Sequence, residues 1–409
     1  MNPFKFFSRF TISEAHRIWV VPLAYLAIAL GTYMFTSADM SAWTVRGSVE
    51  TFDDLGNTQE WGDFATLALT IFGASVMIRL AVTLFDFYRV NRNPGTRISS
   101  DYLLWVLACY VLGALMFIFM TLVIGWIAYA GFGFDADSVT AFISSGDASI
   151  KAFHHAIPNL INLPGFIAFI LIYLVWSLLM YGIHYLGHVS RLYWLLAHRN
   201  HHITTILTSG STLPADFSFP LNWLYVIVQG LILVTVSKLI TENSTLIYFL
   251  CFAIFYFSLE QFNHTQSFYL PIKNSRVFRF FCRLFVCGPY HILHHSSKPE
   301  HQMVNLGGNS AIWDHAFGTF CELPGEDKDP SIGLTHQPTI YLSSFNVIFS
   351  GLMQIGYELW HNKDFGTRMK ILFGHIEYEP PVSRNFLVDY AARKGVEQHK
   401  ISPVHQTSG

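Results

Sequence analysis

Apolar runs of about twenty residues, nearly free of fixed charge, recur along this chain and decide what it can fold into, because such runs are long enough to cross a bilayer as helices. They lie at about Ile18–Ser37, Phe64–Phe85, Tyr102–Phe132, Leu163–Ile183, Leu221–Val236 and Leu246–Phe262. The second carries Arg79 near its end, and the last two are separated by only the polar segment Thr241–Thr245. Composition agrees: charged residues make up 13% of the 409 and hydrophobic residues 52%, whereas a soluble domain is about a quarter charged. The pattern predicts an all-α integral membrane protein with about six transmembrane helices. A net charge of −2 gives no reason to expect a nucleic-acid partner. The N-terminal run reads as a retained span, with no small-residue cleavage site after it.

Charge between the runs sets an orientation. The connection from Asp39 to Asp63 holds Asp39, Glu50, Asp53, Asp54, Glu60 and Asp63 against Arg46 alone, and that from Asp135 to Lys151 is again acidic. The connection from Asp86 to Asp101 carries Arg89, Arg92 and Arg97. Basic loops stay cytoplasmic, so the N-terminus and everything just after His184 fall on the cytoplasmic side. Lys273, Arg276, Arg279 and Arg283 follow the sixth run on that same side. Three regions result: 1–160, an N-terminal membrane region with three spans; 161–325, a helical domain at the cytoplasmic face; and 326–409, a cytoplasmic or interfacial tail. Within the tail, Trp360, Phe365, Met369, Ile371, Leu372 and Phe373 alternate with charges, a pattern suited to a membrane surface or to covering the preceding domain.

Histidines supply the chemistry. The chain has 19, and eight fall in three boxes: His184-Tyr-Leu-Gly-His188, His198-Arg-Asn-His201-His202 and His291-Ile-Leu-His294-His295. Helical residues three and four apart share a face, so each box aims two or three imidazoles at one place. Neutral imidazole binds iron, zinc or copper, and eight such ligands exceed the three or four of a zinc site, which indicates two metals. His264, at the end of the sixth run, is placed to complete the cluster, and His301 and His315 follow the third box as ligands or as groups that orient ligands. The adjacent pair His154 and His155 falls on the opposite face and is set aside. His16, His336, His361, His375, His399 and His405 read as surface or interfacial residues. Five scattered cysteines (Cys109, Cys251, Cys282, Cys287, Cys321) read as free thiols rather than a disulfide framework.

After the third box come Ser-Ser-Lys-Pro-Glu-His301, Asn305-Leu-Gly and Trp313-Asp-His-Ala-Phe-Gly-Thr319. With Trp194-Leu-Leu-Ala-His198-Arg-Asn-His-His202 and His264, this order resembles the fatty acid hydroxylase/sterol desaturase superfamily of membrane di-iron enzymes over roughly residues 163–325. Further on, Gly333-Leu-Thr, Ser343-Ser-Phe-Asn346 and Leu372-Phe-Gly with Pro380-Pro381 are similar to its bacterial branch near alkylglycerol monooxygenase. The resemblance implies O₂-dependent oxidation of an unactivated C–H bond in a membrane lipid. It implies two non-haem irons on His184, His188, His198, His201, His202, His264, His291, His294, His295 and His301, with Asn305, Trp313 and Asp314 beside the site. Hydroxylation is favoured over desaturation. The bacterial inner membrane is favoured over the endoplasmic reticulum.

The first box departs from the family's usual form: Tyr181 is kept, but Ser177 stands where an acid is common and Tyr185 where an arginine is. The chain has no nucleotide-binding or haem-attachment motif, so electrons are expected from a partner, cytochrome b5-like, ferredoxin-type or a pterin. A catalytically silent metal- or lipid-binding relative is the alternative reading, with a metal transporter behind it; transport ligands belong at mid-membrane, and these lie at a helix end.

Overall fold

A computed structural model describes residues 156–203, 207, 220–241, 263–266, 269–284, 288–325, 330–334 and 344–393. The expected spans at Ile18–Ser37, Phe64–Phe85, Tyr102–Phe132 and Leu246–Phe262 lie outside these residues, as do His154, His155 and the connections whose charges set the orientation. Among the described residues the regular structure is helical, with no strand beyond the isolated bridges Ser190–His375 and Ser296–Ile332.

Helix α1 (Gly165–Val189) corresponds to the expected fourth span, Leu163–Ile183, and runs six residues past its end. Pro164 opens it, where the absent N–H costs nothing, and it ends where Ser190 turns extended. At 1.5 Å per residue it is about 37 Å long. Among the described residues it is the one helix long and apolar enough to cross a bilayer. Phe166, Ile167, Ile170 and Leu171 face outward, while Ala168, Ile172 and Trp176 pack against Leu233 of helix α4 (Pro220–Ile240). Between them come α2 (Arg191–Tyr193), a π-helical turn over Trp194–His198 and α3 (Arg199–His202). The histidine-bearing end of α1 therefore continues directly into the second box.

Helices α5 (Tyr269–Lys273), α6 (Arg276–Leu284) and α7 (Pro289–His294) enclose a second core of Tyr269, Ile272, Phe278, Cys282, Tyr290, Ile292 and Leu293. Cys282 and Cys321 are free thiols. Helix α8 (Ile312–Phe317) ends at Gly318, whose φ of +75° closes it in the left-handed conformation that glycine adopts without strain.

Of the C-terminal helices α9 (Ser344–His361), α10 (Phe365–Phe373) and α11 (Phe386–Arg393), α9 packs on the π-turn leading into the second box, α10 on α9 and α2, and α11 on α9. Ile355 and Ile371 join Leu195 and Leu196 of the π-turn in one buried cluster. A buried ion pair, Arg191 to Glu358 at 2.8 Å, fastens α9 to the turn before that box. The amphipathic run of the tail thus covers the histidine domain with Ile371, and it leaves Trp360, Phe365 and Phe373 exposed on its other side.

Candidate metal centre

Nine histidines converge in two groups. His184, His188, His198, His202 and His294 have ligand atoms within 4.8 Å of one another, and so do His201, His264, His291 and His295. Helical periodicity explains the division. Each i, i+4 pair stays together, 184 with 188, 198 with 202 and 291 with 295. The third histidine of each HxxHH box, His201 or His294, lies off that stripe and crosses to the other group. The two boxes therefore exchange one ligand each, and the groups abut, with the His202 and His295 rings stacked at 4.2 Å.

Spacing within the groups is that of shared coordination. Nε2 of His188 lies 2.8 Å from that of His198 and 3.1 Å from that of His294. His198 and His202 are 3.1 Å apart, as are His201 and His264 and also His291 and His295; His264 and His291 are 2.9 Å apart. Ligand nitrogens this close together could hold a metal ion in each group.

Protonation agrees. The Nδ1–H of His184 donates to the Leu306 carbonyl at 2.6 Å, and that of His294 to the Val304 carbonyl at 3.0 Å. A neutral imidazole so engaged presents a bare Nε2. Nε2 of His184 is buried with no hydrogen-bond partner, an orphan acceptor that a cation would satisfy. Burial holds His198, His201, His202, His291, His294 and His295 well below the usual imidazole range, so they stay neutral and ready to ligate. A soft nitrogen cluster without carboxylate ligands suits iron, zinc or copper and not magnesium or calcium.

A short loop holds the first-box ligand in place. Asp314 is fully buried; its carboxylate accepts the backbone N–H groups of Leu306 at 2.7 Å and Gly307 at 2.9 Å and the Thr319 hydroxyl at 2.7 Å. Burial raises its carboxyl above the ordinary range despite these bonds. Asn305 sits at φ +52°, a left-handed position that asparagine tolerates. Its side chain donates to the carbonyls of Tyr290 and Cys321 and accepts the N–H of Cys321. The Trp313 indole donates to Ser177 Oγ at 2.9 Å, and Ser177 donates on to the Leu174 carbonyl. A hydroxyl thus receives the indole proton at the position where the resembling family often has an acid.

Nine of the ten ligands expected from the sequence lie together in these groups. His301 belongs to neither, because Pro299 opens a 3₁₀ turn (Pro299–His301) that leads the ring elsewhere. His315 is also outside them, stacked on Phe320 at 4.0 Å and donating to the Arg283 carbonyl. The carbonyls of Leu306 and Val304 were not foreseen, since a backbone acceptor leaves no side-chain signature. Gly187 was also missed: a Cβ there would stand 2.8 Å from Cγ of His198, so only glycine lets that ring approach α1. Trp194 lies 5.5 to 6.0 Å from His188, His198 and His202, ring centre to ring centre, and lines a cavity of about 510 Å³ that reaches His188.

Residues 169–319 match the family model for fatty acid hydroxylase. This segment is a fatty acid hydroxylase domain, and its histidines form the family's histidine boxes. The chain matched no curated protein and no solved structure. The fatty acid hydroxylase family is one of membrane-associated oxidoreductases that act on lipids, and the histidine clusters could hold the metal that such an activity uses.

Proposed function

We propose that this protein oxidises an unactivated C–H bond of a membrane lipid with O₂ at a centre of two non-haem irons, by hydroxylation rather than desaturation. The observation that carries the reading is the division of nine buried histidines into a group of five and a group of four whose boxes exchange ligands. Nine imidazoles exceed the three or four ligands of a single zinc site, which supports two metals. When bound, the irons supply the oxidising power to activate O₂ and cleave the C–H bond.

The remaining work falls to the chain. Leu306 and Val304 hold the His184 and His294 rings in the tautomer that ligates through Nε2, and Asp314, Asn305 and Trp313 hold that loop. The apolar flank of α1 brings an acyl or isoprenoid chain to the centre and excludes water. Electrons come from an external donor, cytochrome b5-like, ferredoxin-type or a pterin. We assign its approach to the cavity at His188, because that cavity includes Val189 at the end of α1 and Arg191, Glu377 and Glu379 beyond it. The site faces the cytoplasm, in a bacterial inner membrane.

Two measurements test this. Metal counting on the purified chain should return two irons, and comparative lipidomics of cells with and without it should reveal a lipid gaining one oxygen atom. A single zinc with an unchanged lipidome contradicts the proposal and favours a catalytically silent relative.

A further inference from the structure

Helix α6 divides its circumference among three surroundings. Phe278 and Cys282 face the core. Val277, Phe280, Phe281 and Leu284 form a second stripe and are 57%, 61%, 53% and 42% exposed. Arg276, Arg279 and Arg283 form a third. At 100° per residue the apolar stripe is centred about 130° from the buried stripe and about 115° from the arginine stripe. Four large apolar side chains turned outward on one nine-residue helix are out of place in water.

Contacts with α1 give the level of this face. Tyr173 and Ser177 precede His184 by eleven and seven residues, which puts them about 16 and 10 Å from it along the helix axis, toward the apolar end. The loop before α8 is tied to both: the Tyr173 hydroxyl donates to the Asn309 carbonyl, and the Trp313 indole donates to Ser177. In the same loop the Ala311 N–H donates to the carbonyl of Leu284, the last residue of α6, at 2.8 Å. The C-terminal end of α6 therefore stands two to three turns to the membrane side of the histidines. Ile312 and Phe317 of the following helix are also exposed, and Phe317 stacks on Tyr181 of α1 at 5.2 Å.

We infer that α6 is an interfacial helix that inserts Val277, Phe280, Phe281 and Leu284 into the cytoplasmic leaflet and sets Arg276 and Arg279 against anionic lipid headgroups. Arg283 is engaged by Glu322 at 2.5 Å, so the other two supply the attraction. The division into apolar, basic and buried stripes is that of a helix lying in the plane of a bilayer. Arginine stems reach from the acyl boundary to the phosphates, and each basic residue near an anionic surface favours it about fivefold. This rests on α1 crossing the bilayer as proposed above, and it adds a second contact with the leaflet, beside the Tyr181 end of the centre.

The test places benzoylphenylalanine at Phe281, or at Val277 in a second variant, in the full chain. The protein is reconstituted in vesicles of phosphatidylcholine with one-fifth phosphatidylglycerol by design (about 20%, within the anionic range of cytoplasmic leaflets). Phe166, outward on α1, and Glu300, exposed beyond the histidines, are the reference positions. Irradiation should give phospholipid adducts at 281, 277 and 166 and none at 300. Phosphatidylglycerol should be over-represented at 281, and Arg276→Gln with Arg279→Gln should remove that excess. Adducts to a peptide from residues 1–155, adducts to another protein, or none at 277 and 281 would overturn the interfacial helix. An unbiased lipid mixture at 281 would overturn the role of the arginines. Failure at 166 as well would instead reject the membrane placement of α1.

Discussion

The carbonyl of Leu306 lies 2.6 Å from Nδ1 of His184, and the N–H of the same residue is held by Asp314. One residue thus joins a ligand of the first box to an acid of the Trp313–Thr319 segment, 130 positions later in the chain. The separated pieces of the family's sequence signature are parts of one support.

Asp314→Asn should therefore weaken metal binding without removing a ligand. An amide cannot accept two backbone N–H groups and a hydroxyl together, so the loop loosens and the His184 ring loses its fixed tautomer. The expected loss in affinity is about 10- to 100-fold, read by chelator competition on the purified protein. Unchanged affinity would remove Asp314 from the support of the site.

Gly187→Ala should disturb the five-histidine group. The added methyl would stand 2.8 Å from Cγ of His198, close enough to displace that ring. Metal content should fall from two ions toward one per chain, with the four-histidine group still loaded.

Ser177→Ala leaves the Trp313 indole N–H without its acceptor, which costs about 1 kcal/mol at a half-buried site. Trp313→Phe in that background should restore much of the loss, because both halves of the bond are then gone. Thermal midpoints of the two single variants and the double variant measure this coupling. Additive losses would mean that the 2.9 Å contact contributes no stability.

Metal removal should expose the cost of burying neutral imidazoles. In the unfolded chain histidines titrate near 6.5, while His198, His201, His202, His291, His294 and His295 titrate well below that when folded. Below pH 6.5 the unfolded state therefore binds more protons, and the metal-free fold loses stability as pH falls. The limit is about 1.4 kcal/mol per pH unit for each histidine. The thermal midpoint of chelated protein should therefore be lower at pH 5.5 than at pH 7.5, and an equal midpoint at the two would contradict this.

The site was more legible in the sequence than the fold around it. His184, His188, His198, His201, His202, His291, His294 and His295 announce themselves by a spacing that helical geometry requires, and His264 followed from its place at the end of an apolar run. His301 satisfied the motif but not the geometry, because a motif records order along the chain and not the direction in which a proline-initiated turn sends a ring. The Arg191–Glu358 pair was not foreseeable, since nothing local in Glu358 distinguishes a buried partner from a surface charge. The same holds for α10: its alternation of apolar and charged residues suits a membrane surface and a protein surface equally, and only Ile371 packed beside Leu195 and Leu196 shows which side it covers.

The most direct test of the central claim is incorporation of heavy-isotope dioxygen into lipid by the purified, iron-loaded chain in vesicles supplied with a chemical reductant. The account predicts a lipid carrying one labelled oxygen atom, formed by the wild type and absent from both His198→Ala and His291→Ala, one variant for each group. Labelled product formed equally by both variants, or no oxidised lipid from a wild type holding two irons, would contradict it.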